Sequence, residues 1–576
     1  MFKEKFAVIY KLSDVLTAKQ KKSIIGLFLL MLASSLIETL GVSIIIPYFA
    51  VLTDPKGFIA GEIGTMISNI LHITKQNELL IFLTAVLIVA FGIKYILTYV
   101  IQLKQTNFVN RNRFQMARHV MSRLIREDYE RYLYRNITEE INSVTVHVTW
   151  TFELIRSALT VMIHFLTALL LGIFMFLVDI RLALGFGTGI AVLYYLLNRI
   201  FRDKVKNAGE DANETWEAYE KIIGESFLLK KENDVFLRNN GVFDSFSYFG
   251  KRNVKADERK IKYAIIPGVL TNLISVWAIL FFVLFSLTSG TDILGSLGKL
   301  SAFYLSATRV IPSVNAMYAG LQSITFYQPS LDRVYFLLKS EKDEKARKEM
   351  NYKTRSVHNS IQLRNVSFHY ENSACETVEN IDIIIHCGER IGIVGETGSG
   401  KTTLINLMIG LLHPQKGQVY IDGEPLSDDS ILEVGYVPQD TNLLDSTIRD
   451  NITFGRNITE DELTYAVNAS ELRTFIEELP KGLETKIGAQ GVRLSGGQRQ
   501  RIGIARALVG NPSVLIFDES TASLDRKTEQ GIIKTVEAFA HDKTIIMVSH
   551  RPNTLQFCDR WFRVEGHRLT ELDSCP

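Results

Sequence analysis

A glycine-rich loop in the C-terminal half of the chain carries the clearest chemistry. Its residues are Gly395, Glu396, Thr397, Gly398, Ser399, Gly400, Lys401 and Thr402. Glycines let backbone N–H groups turn towards phosphate groups, while a lysine reaches the β- and γ-phosphates and a hydroxyl ligates Mg²⁺. The apolar segment 390–394 precedes the loop and a helix-like segment follows from Thr403, which is the strand–loop–helix context that such a loop requires. The sequence therefore predicts that residues 395–403 bind ATP and Mg²⁺.

Two adjacent carboxylates end the apolar segment 514–517. Asp518 is predicted to hold Mg²⁺ through a water molecule, and Glu519 is predicted to polarise the water that attacks the γ-phosphate. Phosphoryl transfer depends mostly on positioning and charge neutralisation, so one acid for the metal and one for the water is chemically sensible. The alternative is that both acids lie on the surface, and the presence of Lys401 disfavours it.

The elements around these motifs indicate a chain of two unlike parts. Strand-like and helix-like segments alternate over residues 360–576, as in an α/β nucleotide-binding domain. A charged linker is predicted at 340–359, and nearly all long uncharged runs lie in residues 1–339. The average composition of 47% hydrophobic and 22% charged residues hides this division. A net charge of +2 gives no reason to expect nucleic acid as a partner.

Six segments of the first part are long and apolar enough to cross a bilayer as helices, which takes about 20 residues each. They are residues 23–47, 80–103, 157–178, 182–201, 264–288 and 296–320. Loops 104–150 and 202–262 contain eight and thirteen lysines and arginines, whereas loop 48–79 contains two. This bias predicts a multi-pass protein of the inner (plasma) membrane, with both termini and the ATP-binding domain in the cytoplasm.

The two basic loops are predicted to be helical extensions of the membrane spans. Apolar residues recur among their charges at near-helical spacing. We expect the tips of these stalks, near residues 129–135 and 228–236, to contact the ATP-binding domain. The alternative is a separate small cytoplasmic domain.

Four ionisable residues fall well inside the predicted spans, away from the span ends, and each of them is a candidate functional residue. They are Glu38, Lys94, His164 and Arg309. Lys94 is near the cytoplasmic boundary and can snorkel towards it, while His164 can hydrogen-bond within the helix bundle. Arg309 lies about 20 Å along its helix. It is either a structural partner of Glu38 or an anion site, and we take Arg309, Glu38 and Lys94 as candidates for a substrate cavity.

The cysteines give no sign of a metal site. Cys375, Cys387, Cys558 and Cys575 show no paired metal-ligand spacing. All four are predicted to be reduced thiols, and Cys387 is predicted to be a small buried side chain.

A short motif after residue 493 identifies a family. Its residues are Leu494, Ser495, Gly496, Gly497 and Gln498. The chain resembles the ATP-binding cassette (ABC) transporters, in which this sequence is the signature motif. The resemblance implies that the motif opens a helix, here 500–508, whose N-terminus faces the ATP of a partner subunit. A second copy of the chain would then complete the site; the intact motifs favour a homodimer, and a heterodimer stays open.

The resemblance also assigns roles to residues outside the phosphate loop. It implies that Tyr370 stacks on adenine, that Gln439 senses Mg²⁺ and water, and that His550 contacts the γ-phosphate. The loop 523–525 would cross the dimer interface. Segment 488–491 departs from the Gly-Glu-Arg-Gly-like sequence of exporters, so its coupling role does not carry over. The expected fold is an all-α six-helix membrane domain with long cytoplasmic helical extensions, fused to an α/β P-loop nucleotide-binding domain.

The membrane spans resemble a narrower group. Segments 37–42 and 304–313 are similar to those of bacterial flippases for lipid-linked oligosaccharides, in which ATP hydrolysis moves an undecaprenyl-pyrophosphate glycan across the inner membrane. Arg309 matches a cavity arginine thought to meet the pyrophosphate. The chain departs from that group at Lys94, which replaces an arginine, and at Pro267-Gly268, where an arginine would follow the proline.

Other cargoes and one other class of function stay open at this point. A drug, peptide or other lipid exporter fits the same layout, and so does an ATP-gated channel or regulator. The intact Glu519 and His550 favour ATP turnover over ATP sensing. Segment 61–73 carries apolar residues at helical spacing and is either an external amphipathic helix or an ordinary loop helix.

Overall fold

The chain forms two compact units joined by more than one segment. The computed structural model describes residues 2–53, 58, 61, 65, 76–288, 293–339, 353–371, 373, 375–488, 494–519, 531, 534, 542–549, 551 and 555–576. The first unit comprises Met1–Arg126 and Arg135–Asp343, and the second comprises Glu127–Tyr134 and Glu344–Pro576. The short segment Glu127–Tyr134 therefore packs with the second unit although the first unit surrounds it in sequence.

The described part of the first unit is helical throughout. Its helices are α1 (Phe2–Val15), α2 (Ala18–Ser43), α3 (Ile45–Thr53), α4 (Gln76–Ile125), α6 (Ile137–Asn142), α7 (Val148–Val178), α8 (Ile180–Leu228), α9 (Lys230–Val235), α10 (Asn239–Thr288) and α11 (Ile293–Lys339). A π-helical turn at Ser143–His147 joins α6 to α7. Helix α5 (Tyr129–Tyr132) lies in the segment that belongs to the second unit.

The longest helices extend well beyond the apolar segments inside them. Helices α4 and α10 have 50 residues each, which is about 75 Å at 1.5 Å per residue. The hydrocarbon core of a bilayer is only about 30 Å thick. A large part of each helix therefore lies outside any membrane, as expected for helical stalks.

Three parts of the described chain meet a length and hydropathy criterion for membrane crossing. They are Ala18–Leu52, Asn77–Ile125 and Ile137–Val178. Helices α8, α10 and α11 cover the other three predicted spans, 182–201, 264–288 and 296–320, without meeting that criterion over their described residues. The count of six spans therefore stays a prediction.

Close helix contacts hold the first unit together. A Cβ atom at Gly320 of α11 would lie 2.6 Å from Val161 Cγ2 and 3.3 Å from the Ser157 carbonyl oxygen of α7. Small residues permit such approach in membrane bundles, where packing rather than water exclusion drives association. Two prolines differ in their effect on helix continuity. One helix ends and the next begins shortly before Pro47, whereas α11 continues through Pro312.

The second unit is built on a mostly parallel sheet. Its strand order is β12-β11-β4-β10-β9-β8, and only β12 is antiparallel to its neighbour. The strands are β4 (Arg390–Gly395), β8 (Val434–Val437), β9 (Val514–Asp518), β10 (Thr544–Val548), β11 (Arg560–Glu565) and β12 (Arg568–Leu572). Strands β9 and β10 are buried along their whole length, as expected for strands of a covered parallel sheet.

A second, antiparallel sheet and several helices complete this unit. The sheet has the order β3-β2-β5-β6, and β1 pairs with β7. These strands are β1 (Lys353–Arg355), β2 (Ser360–Phe368), β3 (Val378–His386), β5 (Lys416–Ile421), β6 (Glu424–Pro425) and β7 (Ser430–Leu432). The helices are α12 (Lys401–Ile409), α13 (Ile448–Thr453), α14 (Glu460–Ala469), α15 (Arg473–Glu477), a 3₁₀ turn (Gly482–Glu484) and α16 (Gly496–Leu508).

None of the four cysteines forms a disulfide with another, but their burial differs from the prediction. Cys387 is exposed because it lies in the turn just after β3 ends at His386. Cys558 is the buried one, and burial raises the pKa of its thiol to about 12. The prediction that Cys387 is buried is therefore wrong, since an apolar neighbourhood in sequence does not show where a strand turns.

Candidate nucleotide-binding and hydrolysis site

The glycine-rich loop connects the carboxyl end of β4 to the N-terminus of α12. Gly400 caps α12 with a φ of +103°, and Gly398 has a φ of +83°. A Cβ atom at Gly395 would lie 2.5 Å from the Val564 carbonyl oxygen, so the loop can pass the sheet only without a side chain there. The loop therefore presents backbone at a helix N-terminus, where N–H groups and the helix dipole favour an anion.

The side chains of this loop fit a phosphate group. Lys401 is 5% exposed, and its Nζ donates hydrogen bonds to the carbonyl oxygens of Gly395 (2.8 Å) and Glu396 (2.9 Å). The Ser399 hydroxyl is buried and has no hydrogen-bond partner among the described residues. A buried hydroxyl without a partner costs free energy that a bound oxyanion could recover. The residues present therefore suit the phosphates of a nucleotide.

Asp518 lies next to this loop at the carboxyl end of β9. Its Oδ2 accepts a hydrogen bond from the Tyr436 hydroxyl at 3.0 Å, and it is also hydrogen-bonded to Thr402. Burial raises the pKa of Asp518, and the hydrogen bond from Tyr436 opposes that rise. A carboxylate beside a hydroxyl is the hard oxygen ligand set that Mg²⁺ prefers. Thr402 and Asp518 thus fit a Mg²⁺ ion, which would neutralise charge on the phosphates.

Glu519 adopts an uncommon backbone conformation that follows directly on β9. Its φ is +49°, in the left-handed region, and its N–H donates to the Val548 carbonyl oxygen at 3.0 Å. Gln439 Nε2 donates to Glu519 Oε2 at 3.1 Å, and Lys401 Nζ lies 3.5 Å from Oε1. A non-glycine residue held in this region costs energy and is a reason to look for function. The structure therefore brings Lys401, Gln439 and Glu519 together.

Tyr370 lies beside the first turn of α12, directly after the phosphate loop. Its hydroxyl hydrogen-bonds to the Thr403 hydroxyl with 3.1 Å between the oxygens, and its ring packs edge-on against Phe368 with ring centres 5.0 Å apart. A partly buried ring beside the first turn of α12 is a suitable place for a base whose phosphates lie on the loop. Stacking of Tyr370 on adenine stays a prediction.

The signature motif forms a helix start of its own. Ser495 caps α16: its hydroxyl accepts from the Gln498 N–H at 3.2 Å, while Gln498 Oε1 accepts from the Ser495 N–H at 2.8 Å. The helix begins at Gly496, four residues earlier than predicted. Among the described residues, no hydrogen bond or ion pair joins Ser495 or Gln498 to the phosphate loop. A role for this helix start towards a partner's ATP stays a prediction.

Several predicted residues lie outside the described part of the chain. These are His550, the loop 523–525, residues 489–491 and most of segment 61–73. Their assigned roles stay predictions.

Sequence reasoning missed two tyrosines of this site. Tyr436 lies three residues before Gln439, and its hydroxyl donates a hydrogen bond to Asp518. Tyr129, in α5, packs with Tyr370 and Tyr436 on the same hydrophobic cluster. Burial raises the pKa of Tyr129, and the nearby Tyr370 adds to that rise. The expected contact of residue 129 with the ATP-binding domain is therefore present, and the nearby Asp518 carboxylate also raises the pKa of Tyr129.

We expect Tyr436→Phe to weaken binding of ATP in the presence of Mg²⁺ by about three- to tenfold. The variant removes only the hydroxyl that orients Asp518, so the loss should be smaller than the about 1.5–3 kcal/mol of a direct hydrogen bond to a charged group. The measurement is ATP affinity with Mg²⁺ and with EDTA. Tyr420→Phe, the same change on β5, is the control. Equal weakening with and without Mg²⁺ would argue against this role of Tyr436.

A separate group of charged residues lies inside the first unit. Glu38 Oε1 is 3.0 Å from Lys94 Nζ and 3.6 Å from Arg309 Nε. Glu38 and Lys94 are 8% and 12% exposed, and Arg309 is 38% exposed. Lys94 therefore pairs with Glu38, so the snorkelling interpretation is wrong. His164 Nδ1 lies 3.4 Å from the Ser313 hydroxyl oxygen, which confirms a hydrogen bond within the bundle.

Comparisons with known proteins agree with this geometry. A sequence profile described as "ABC transporter" matches residues 378–522. The chain is 37% identical over 281 residues to the alpha-hemolysin translocation ATP-binding protein HlyB of Escherichia coli, covering 48% of this chain and 39% of HlyB. It is 36% identical, with the same coverage, to the leukotoxin translocation ATP-binding protein LktB of Mannheimia glucosida. The chain thus matches well under half the length of these curated relatives.

A solved structure extends the comparison to the membrane helices. The fold is similar to that of a bacterial Atm1-family ABC exporter with ATP bound, with a TM-score of 0.75 and 21% sequence identity. The match covers 96% of this chain and 95% of that one. The chain therefore carries an ABC transporter domain, and its fold is that of an ABC exporter.

Proposed function

We propose that this chain is one subunit of an ATP-hydrolysing exporter. The observation that carries the proposal is the meeting of Lys401, Gln439 and Glu519 at the phosphate loop. In this proposal Lys401 and the loop bind the phosphates, Thr402 and Asp518 hold Mg²⁺, and Glu519 polarises the attacking water. Gln439 orients Glu519 through its hydrogen bond, and His550 contacts the γ-phosphate. Positioning and charge neutralisation of this kind supply most of the catalysis of phosphoryl transfer.

The arrangement of the signature helix supports a dimer. Ser495 and Gln498 cap their own helix and contribute no hydrogen bond to the phosphate loop of the same chain within the described residues. A second copy would bring its helix start to this loop, and two equal sites would follow from two-fold symmetry. A heterodimer with a related chain is the alternative.

The proposed exporter lies in the inner membrane. In this proposal residues 1–339 form the membrane domain, residues 340–359 form the linker, and residues 360–576 form the ATP-binding domain. The excess of basic residues in loops 104–150 and 202–262 supports a cytoplasmic position for the stalks and the ATP-binding domain.

We propose an anionic amphiphile as the cargo, with an undecaprenyl-pyrophosphate-linked oligosaccharide as the specific candidate. Glu38, Lys94 and Arg309 together carry two positive charges and one negative charge inside the first unit. A pyrophosphate that crosses hydrocarbon needs a cationic partner. Arg309 is the most exposed of the three, and its guanidinium group offers a planar fork of donors to phosphate oxygens.

Peptide or protein export is the second candidate. The names of HlyB and LktB describe translocation of alpha-hemolysin and of leukotoxin. The identity of 36–37% to these proteins favours a related cargo. A drug or another lipid stays open as cargo on the fold alone.

We expect Arg309→Ala to lower flipping of a short undecaprenyl-pyrophosphate glycan about ten- to a hundredfold while basal ATP hydrolysis changes less than about twofold. The range follows from about 1.5–3 kcal/mol for a hydrogen bond to a charged group. The assay uses the full chain in proteoliposomes and measures flipping and hydrolysis together. Arg309→Lys keeps the charge and should retain part of the transport, whereas Arg181→Ala removes an arginine elsewhere in the chain and should change neither rate.

Three outcomes of this assay are decisive. An equal loss of both rates would make Arg309 a packing residue. Hydrolysis without glycan movement by the unaltered protein would contradict the glycan proposal, and transport of an unfolded polypeptide in the same vesicles would then favour peptide export. Ion current without hydrolysis would contradict the exporter proposal itself and favour an ATP-gated channel.

A further inference from the structure

A basic pocket lies between helices α8 and α10, apart from the residues discussed above. It has a volume of about 870 Å³. Its charged lining residues are Lys204, Asp211, Lys251, Arg252, Lys255 and Arg259. Tyr263 also lines it. All of these residues belong to the first unit.

The pocket has a clear excess of positive charge. Among the described lining residues Asp211 is the only acid, and it pairs with Arg252 at 2.6 Å and with Arg259 at 3.8 Å. By contrast, Lys204, Lys251 and Lys255 have no carboxylate within ion-pair distance among the described residues. The lining therefore carries five cationic side chains and one carboxylate. Such a lining attracts a strongly charged anion.

The position of the pocket along the helices indicates the source of that anion. Lys204 lies three residues after the apolar segment 182–201, and Arg259 lies five residues before the apolar segment 264–288. At 1.5 Å per residue these offsets are about 5 Å and 8 Å. The basic loop 202–262 is predicted to be cytoplasmic, so this end of the pocket reaches the cytoplasmic surface of the bilayer. Tyr263, between the two regions, is of a type enriched at membrane interfaces.

We infer that the basic pocket binds the phosphate headgroup of an anionic phospholipid from the cytoplasmic leaflet. Basic pockets between membrane helices on the cytoplasmic side are suited to such headgroups. Lys204, Lys255 and Arg259 would surround the phosphodiester, while Asp211 keeps Arg252 and Arg259 in place. This binding goes beyond the proposed transport function and requires neither ATP nor cargo. The pocket lies on α8 and α10, whereas Glu38, Lys94 and Arg309 lie on α2, α4 and α11.

The test measures binding of short-chain phosphatidylglycerol and phosphatidylcholine to the purified full chain in a neutral detergent. We expect phosphatidylglycerol to bind more tightly, and Lys204→Gln/Lys255→Gln to weaken it about tenfold. The matched control is Lys206→Gln/Lys262→Gln, which removes the same charge from the same two helices at residues outside the pocket lining. The control should change the affinity less than about twofold.

The other outcomes would overturn the inference. Equal weakening by both double variants would show general attraction to a basic surface. Inorganic phosphate that competes at the same concentration as phosphatidylglycerol would show a site for a soluble anion, and equal binding of both lipids would show no headgroup selectivity. Thermal unfolding checks the fold of each variant. If the first pair does not fold, Lys255→Gln alone should weaken binding about threefold, and an unchanged affinity would overturn the inference.

Discussion

Glu519→Gln should reduce steady-state ATP hydrolysis by at least about a hundredfold and leave ATP binding intact. The amide keeps the size of the side chain but cannot accept a proton from the attacking water, and general bases typically contribute 10²–10⁴-fold. Lys401 would remain with its bonds to Gly395 and Glu396, so the phosphate loop should keep its shape. We also expect the variant to accumulate as a closed dimer with ATP bound.

The measurements are the hydrolysis rate, the ATP affinity and the dimer fraction with ATP. Glu565→Gln is the matched control, because it makes the same acid-to-amide change on an exposed residue at the end of β11. The control should hydrolyse ATP at the unaltered rate. An unchanged hydrolysis rate in Glu519→Gln would remove Glu519 from the catalytic role. Loss of ATP binding would instead show that Glu519 supports the loop through its contact with Lys401.

The phosphate loop could be predicted from sequence because its chemistry is local. The strand β4, the loop and the helix α12 are contiguous, and Gly398 and Gly400 have positive φ angles within this run. Only the close approach at Gly395 depends on a distant residue, Val564. The same holds for Asp518 and Glu519, which end one strand. The start of α16 at Gly496 is also local, because Ser495 and Gln498 form a capping box whose Ser-x-x-Gln pattern is visible in the sequence, and the predicted start at residue 500 overlooked it.

Contacts between distant parts of the chain could not be predicted in the same way. Tyr436 and Asp518 are 82 positions apart and meet because β8 and β9 are neighbours in the sheet. Tyr129 packs within the second unit, although the segments that flank it in sequence belong to the first. The Lys94 side chain could extend towards the cytoplasmic boundary or pair with a residue of another helix. The packing of α2 against α4 places it beside Glu38.

The ion pair between Glu38 and Lys94 should contribute strongly to the stability of the protein. Glu38→Gln should destabilise the protein by about 3 kcal/mol, because breaking a buried pair leaves an uncompensated charge. Lys94 is 12% exposed, and Arg309 would lose the same carboxylate. Lys94→Gln should cost less, since Glu38 would keep Arg309 as a partner. The measurement is thermal unfolding of the full chain in detergent, with and without each change.

The double variant Glu38→Gln/Lys94→Gln decides whether charge is the cause. If the loss in Glu38→Gln comes from the unpaired ammonium group, removing that charge as well should recover much of the stability, and the two changes should not add. Strict additivity would mean that Glu38 and Lys94 contribute through packing and not through their charges. Recovery of stability without recovery of glycan flipping would further separate the structural role of this pair from the transport role proposed for Arg309, since both variants keep that arginine.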